Sequence, residues 1–375
     1  MDHRNGRQHF PGRMKRKWHI NGRFVSQAVT GVQRYAHEIV RALDRHVAEG
    51  HALAQSLDLE LTVPADGPRN LPELKAIPLR AIGGSAGQKW EQVVLGRHAA
   101  SGLLSLCNTG PLLPHKHIVC IHDINTRVYP DSYSFAFRAL YRALHPALGR
   151  RAGKIATVSR HSADQIAHYG IAPAEKLVVI PNGHEHALRW RPEHSPATRA
   201  AAGPDTIVII GSPAPHKNVR LIVGLAPKLA AAGLRVAVAG LSDSRVFAAN
   251  EPLPEAGNVV WLGRLSDNEL AFLLQDSLCL AFPSLAEGFG LPALEAMALG
   301  CPVVVSDRTS LPEVCGDAAL YASPYDEDAW LARFVELRKD ARLRGEMIAR
   351  GRRRAVEYSW TESAKLYLQA MVALG

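Results

Sequence analysis

The chain places two carboxylates around a glycine turn. Glu287 and Glu295, with seven residues between them, lie in the stretch FPSLAEGFGLPALEAMALGCPVVVSD that runs from Phe282 to Asp307. LCLAFPS is continuously apolar, as a strand buried on both faces is. LPALEAMALG reads as a helix with Pro292 in its first turn, where the missing N–H costs nothing. The AEGFG loop therefore falls at the carboxyl end of a strand, the edge at which open α/β sheets take ligands. Gly288 and Gly290 permit a tight turn and the close approach of something large. Amide hydrogens at the helix start attract an anion such as phosphate, and carboxylates accept hydrogen bonds from sugar hydroxyls. A ligand with both groups, a nucleotide-sugar, fits. The plain alternative is an ordinary turn, with Glu295 on a solvated helix face.

The elements that must hold this loop alternate between apolar strands and helical periods. WHING opens a first series, followed by the amphipathic helix TGVQRYAHEIVRALDRH. Strands are predicted at 57–63, 102–107, 118–121, 155–158 and 177–180, with helices near 88–99, 132–149 and 160–169. A second series begins at TIVII and runs through VAVAG, NVVWLG, LCLAFP and PVVVS. Strands separated by helices at this spacing predict parallel sheet covered by helices on both faces. The expected division is a disordered basic tail over 1–17, a Rossmann-like domain over 18–185, a linker over 186–204, a second Rossmann-like domain over 205–355, and a crossover helix over 356–375. In class this is α/β, two Rossmann-like domains facing across a cleft.

The net charge is +9 over 375 residues. Residues 1–17 carry six Lys or Arg against one Asp, and further basic clusters lie at 137–154 and 338–354. Few aromatics interleave with these charges, Phe137 and Tyr141 in the 137–154 cluster, against the run of them that a single-strand binder needs, so no nucleic-acid partner is expected. No apolar run approaches the roughly 20 residues that span a bilayer. Five scattered cysteines without a CxxC pair read as reduced thiols, not as a disulfide frame or a zinc site. The absence of G-x-G-x-x-G after any strand argues against a dinucleotide oxidoreductase.

The blocks INGRFVSQAVTGVQRYAHEIVRAL, CIHDI, TVSRHSADQIAHYGIAPAEKLVVIPNG, GSPAPHKNVRLIV and EGFGLPALE resemble, in order and spacing, the retaining glycosyltransferases of the group-one family with the GT-B fold. The resemblance covers nearly everything from Trp18 onward. It implies that Glu287 touches hydroxyls of the transferred sugar and that Glu295 holds the ribose. The backbone of Phe289, Gly290 and Leu291 then binds sugar and diphosphate, Gly31 approaches the diphosphate from the opposite wall, and His122 lies beside the donor sugar. Gly263 and Arg264 fall where the family contacts the base. Lys217 falls where a cation meets the departing diphosphate. The family usually adds an arginine; here that position reads Ser212 or His216, and whether His216 replaces the arginine stays open.

The reaction implied is transfer of a hexose, with retention, from a nucleotide-sugar such as GDP-mannose or a UDP-hexose to a glycan or lipid-linked glycan in surface polysaccharide or lipopolysaccharide synthesis. It needs no cofactor and no metal. The expected location is cytoplasmic, with peripheral contact to an anionic membrane through the basic amphipathic helix FRALYRALHPALGRR; an ordinary packed helix is the alternative. Rival readings are a nucleotide-sugar-binding protein without transfer activity, suggested by the missing arginine, and a phosphorylase or epimerase of the same fold.

Overall fold

The structure, a computed structural model, describes residues 15–67, 70–85, 87–212, 214–240 and 256–375. Two parallel sheets organise the chain. The first contains β1 (Arg16–Asn21), β2 (Leu57–Asp66), β3 (Leu79–Ser85), β4 (Leu103–Ser105), β5 (His117–Cys120), β6 (Lys154–Thr157) and β7 (Leu177–Val179), in the order β3-β2-β1-β4-β5-β6-β7. The second contains β8 (Thr206–Ile210), β9 (Arg235–Ala239), β10 (Val259–Gly263), β11 (Cys279–Phe282), β12 (Val303–Ser306) and β13 (Leu320–Ala322), in the order β10-β9-β8-β11-β12-β13. In each sheet the order reverses direction once, between β1 and β4 and between β8 and β11. At such a point neighbouring crossovers leave to opposite faces and open a crevice at the carboxyl ends.

The helices that matter for the crevice are α1 (Gly31–Ala48), α2 (Phe135–Arg151), α3 (Arg160–His168), α4 (Asp267–Gln275), α5 (Leu291–Leu299) and α6 (Trp360–Leu374). The starts of α4 and α5 have local causes. Ser266 accepts from the Glu269 N–H at 3.2 Å while Glu269 accepts from the Ser266 N–H at 3.0 Å, a reciprocal cap that starts α4 at Asp267. Pro292 occupies the first turn of α5, and Gly290 and Gly300 bracket that helix at φ 100° and 79°. The α6 helix leaves the second domain and returns over α1: Tyr35 and Tyr367 hydroxyls meet at 2.9 Å, and Tyr35 donates to the Ile180 carbonyl at 3.1 Å. One apolar cluster accordingly contains Trp18, Tyr35, Trp360 and Tyr367 as well as Leu280 and Leu294.

Three departures from the sequence expectations have physical reasons. Of the tail, residues 1–14 lie outside the described residues, whereas Arg16 and Lys17 are paired in β1 with Leu57 and Asp58, and Arg16 donates to the Val372 carbonyl at 3.1 Å. The strand β3 has no apolar alternation because it is the sheet edge, where Leu79 is half exposed. The segment 186–204 holds the short helix Pro196–Ala201 packed on α4 and β10, and it buries His186. Among the described residues no helix is long and apolar enough to cross a membrane.

Several buried imidazoles make stability depend on acid. Burial pushes His117 and His216 down to about 3 and His37 and His145 down to about 4. The unfolded chain, titrating near 6.5, binds more protons below that value than the fold does, so stability falls as pH drops from about 6.5 toward those values. Each group contributes at most about 1.4 kcal/mol per pH unit over that window. Tm is expected to decline by several degrees between pH 7.5 and pH 5, before carboxylates titrate. A flat Tm over that interval, followed by differential scanning calorimetry, would contradict it.

Candidate active site

Lys217 follows β8 and Glu287 follows β11, the two strands at the reversal of the second sheet. The short turn Pro215–Lys217 and the AEGFG loop therefore meet above the strand ends. Lys217 Nζ donates to Glu287 Oε1 at 2.7 Å, with the lysine side chain 24% and the glutamate 10% exposed. The Lys217 ammonium also lies 5.8 Å from the Phe282 ring centroid. The Glu287 backbone is pinned on both sides: its N–H donates to Thr309 Oγ1 at 3.1 Å and its carbonyl accepts from Ser310 Oγ at 3.0 Å. A small cavity between the domains is lined by Asp123, Asn125, Ser162, Glu287 and Thr309.

Glu295 sits one helical turn into α5 and is buried. It is held by His186 Nε2 at 2.7 Å and approached by Arg34 Nε at 3.7 Å. The tautomer of His186 follows from its other neighbour. Trp360 Nε1–H can only donate, and it points at His186 Nδ1 at 3.0 Å, so Nε2 carries the proton and donates to Glu295. Arg34, from α1, grips Asp267 at the start of α4 through both terminal nitrogens at 2.9 and 2.6 Å and lies 5.3 Å from the Trp190 ring. Burial opposes the Arg34 charge, but Glu295 and Asp267 outweigh it and hold the guanidinium above its ordinary pKa. A fork-to-fork pair of this kind fixes orientation as well as distance.

Other residues singled out from the sequence fall around the same crevice, with different uses. Gly31 opens α1 facing empty space, three residues before Arg34. Arg264 Nη2 donates to the Val29 carbonyl at 3.3 Å and so joins the two domains beside that glycine, and Gly263 ends β10 at φ 63°. The Phe289 side chain is buried against Tyr358, which leaves its backbone to the turn, and Leu291 starts α5. His122 is buried, with its ring edge-on to Tyr35 and Nε2 donating to the Leu106 carbonyl at 2.8 Å. The polar group that its strand presents to the cavity is Asp123 instead. Burial pushes the Asp123 carboxyl above its usual range and Glu287 adds to this, while the Asn125 amide and Lys217 work the other way.

His216 stands beside Lys217 in the turn after β8. Burial, with Lys217 beside it, lowers its pKa to about 3, so the ring is neutral at neutral pH, stacked on Tyr133 at 5.6 Å. It serves as packing, and its carbonyl accepts from the Leu285 N–H at 2.7 Å.

The domains are in contact across the crevice. Ser159 and Ser162 Oγ donate to the Gly288 carbonyl at 2.6 and 3.1 Å, and Tyr129 donates to the Leu285 carbonyl at 3.2 Å. Glu313 accepts from the first two amides of α3, Arg160 and His161, at 2.8 and 3.1 Å, so a carboxylate of one domain caps a helix of the other. Arg34, Asp267, His186, Asp123, Ser162 and Glu313 were not assigned a role from the sequence. His186 lies three residues beyond the block that ends in PNG, and its partner is 109 positions away.

Two parallel-sheet α/β domains meeting at their strand ends have the architecture of the GT-B fold. The model for glycosyl transferases group 1 matches residues 191–354 and that for a glycosyl transferase 4-like domain matches residues 30–183. The chain is 32% identical over 271 residues to O-antigen chain mannosyltransferase B of Escherichia coli, spanning 66% of this chain and 68% of that one. It is 32% identical over 336 residues to the MMP alpha-(1->4)-mannosyltransferase of Mycolicibacterium hassiacum, spanning 82% and 77%. Among solved structures, HepE of Anabaena in complex with UDP and glucose superposes with TM-score 0.68 at 14% identity over 96% of this chain and 100% of that one. WaaG, a glycosyltransferase involved in lipopolysaccharide biosynthesis, superposes with TM-score 0.64 at 15% identity over 95% and 99%. The chain belongs to the group 1 glycosyltransferases.

Proposed function

We propose that the protein transfers a hexose, mannose in the first instance, from a nucleotide-sugar to a hydroxyl of a glycan or lipid-linked glycan in surface polysaccharide synthesis, with retention of configuration. The observation that carries this reading is the Lys217–Glu287 pair at 2.7 Å, set where the second sheet reverses and directly before the start of α5. The names of the related O-antigen chain mannosyltransferases favour mannose.

The chemistry divides among this chain's groups as follows. The amides at the start of α5 and the Lys217 ammonium meet the diphosphate, whose charge grows as the sugar departs. An ammonium has three donors, so pairing with Glu287 leaves others for phosphate. Glu287 accepts from sugar hydroxyls and fixes the ring. The acceptor hydroxyl approaches from the first domain, on the face the diphosphate leaves, and passes its proton to a leaving phosphate oxygen. Tyr133, Phe137 and Tyr141 stack at 5.7 and 4.4 Å and offer an apolar wall beside this site. No step requires a metal.

A thermal-shift panel of GDP-mannose, UDP-hexoses and the free nucleotides tests the donor. GDP-mannose is expected to raise Tm most, and proton NMR of the transferred product is expected to show the donor's anomeric configuration. A product of inverted configuration, or no Tm response to any nucleotide-sugar, rejects the reading.

A further inference from the structure

Strands β1 and β2 point Trp18, Ile20, Leu59 and Leu61 into the main apolar core. The alternate residues, His19 and Glu60, face the other way and lie opposite each other in register. They are nearly buried, at 3% and 7% exposure, under the short helical turn Gly96–His98 that follows the π-helical turn Trp90–Leu95. Two imidazoles and a carboxylate converge there. His19 Nδ1 is 3.3 Å and His98 Nε2 3.6 Å from the same oxygen, Glu60 Oε1, and the three atoms all lie within 4.8 Å of one another. The two rings meet edge-on at 4.8 Å, which keeps both nitrogens turned to one point. At 3.6 Å the His98 contact is too long for a hydrogen bond, and this buried nitrogen has no hydrogen-bond partner among the described residues.

A four-coordinate ion with bonds of about 2.0–2.1 Å holds its ligand atoms about 3.3–3.4 Å apart. Both imidazole–carboxylate separations are already within about 0.3 Å of that spacing, and the two imidazole nitrogens, within 4.8 Å of each other, draw together on binding. We propose that His19, Glu60 and His98 form a binding site for a divalent transition metal of the zinc type, separate from the transfer chemistry. Two nitrogens and one carboxylate suit such an ion, whereas magnesium and calcium seek oxygen ligands. Thr62 Oγ1, 3.1 Å from His19 Nδ1 and 3.4 Å from Glu60 Oε1, is the nearest further donor, and solvent completes the set. Lys17 Nζ holds the other Glu60 oxygen at 3.0 Å and orients the carboxylate as an outer partner does. Its charge limits affinity, but the side chain is 38% exposed and can turn to solvent. The ion ties β1, β2 and the Gly96–His98 turn together, at a sheet face whose next residue along, Asn21, bonds Glu91 at 2.7 Å.

Equilibrium dialysis of the metal-stripped full chain against Zn²⁺, with Co²⁺ as a spectroscopic probe, tests the site. One equivalent is expected, with the visible absorption of low-coordinate Co²⁺, and Zn²⁺ but not Mg²⁺ is expected to raise Tm. His98→Ala, at a partly exposed position, is expected to fold and to weaken that equivalent at least about 10-fold, while His115→Ala at an exposed histidine leaves it intact. Binding that survives His98→Ala, an equal response to Mg²⁺, or no bound equivalent would overturn the proposal and leave Glu60 as a counter-ion for Lys17 alone.

Discussion

Lys217→Ala is expected to lower the rate of sugar transfer at saturating donor by about 10²–10³-fold, or about 2.7–4 kcal/mol, the loss seen when one preorganised donor to developing charge is removed. The direction follows from what the side chain touches. Its ammonium is anchored on Glu287 at 2.7 Å and lies near Asp123, whose carboxyl is already raised by burial and by Glu287. Without Lys217, two carboxylates face the position proposed for a diphosphate and no ammonium offsets them. Ground-state donor affinity is expected to fall less than the rate, because charge on the leaving group grows toward the transition state. Lys217→Arg restores a cation but not its compact shape, so partial recovery is expected. Lys217→Ala with Glu287→Ala is expected to cost less than the sum of the two single changes, because each removes the other's partner. Single-turnover transfer with the donor selected by thermal shift, alongside Tm for each variant, reads all of these. A Lys217→Ala protein transferring at the parent rate would remove the ammonium from the mechanism.

Gly288→Ala is expected to impair turnover for a different reason. An added Cβ would stand 2.5 Å from the His122 carbonyl oxygen and 3.1 Å from Asp123 Cβ, both in the opposite domain. Gly288 is not in the left-handed region, so alanine costs nothing in its own backbone. The clash is therefore confined to the domain boundary, and backbone atoms on the far side cannot swing away as a flexible side chain can. The domains must part by about 1 Å or more, which also stretches the Ser159 and Ser162 hydrogen bonds to the Gly288 carbonyl. A misplacement of that size costs about 100-fold in rate when two substrates are held by separate domains. Nucleotide binding, proposed to rest mainly on the second domain, is expected to stay within a few-fold of the parent. The expected signature is a fall in kcat while donor Kd holds. Unchanged kcat would mean that this contact is not part of the working state.

The parts of the molecule legible in the sequence are those whose cause is local. TIVII and VVVS announce buried parallel strands because both faces must be apolar, and Gly290 and Pro292 announce the start of α5. Their order places Lys217 and Glu287 at strand ends, and the two side chains do meet. What was not legible depends on pairs far apart in the chain. Arg34 and Asp267 read as solvated helix charges until the fold brings them together across 233 positions. Glu313 reads as one more surface carboxylate, yet it caps a helix 153 positions earlier. The lowered pKa of His216 comes from burial, which PHKN does not reveal, and from the adjacent Lys217, which it does. His122 turns inward because the Leu106 carbonyl needs a donor, a demand set by a neighbouring strand.

The return of α6 over α1 bears on how the polypeptide matures. Tyr35 finds its hydroxyl partner in Tyr367, 332 positions later, and the cluster around Trp18 includes Leu368 and Met371. During synthesis the earlier lobe must wait, with an apolar groove uncovered, until ribosomes have delivered the 332 positions between the two tyrosines. Stalled or prematurely terminated translation products should therefore be sticky and chaperone-dependent, even when they include all seven strands of the first sheet.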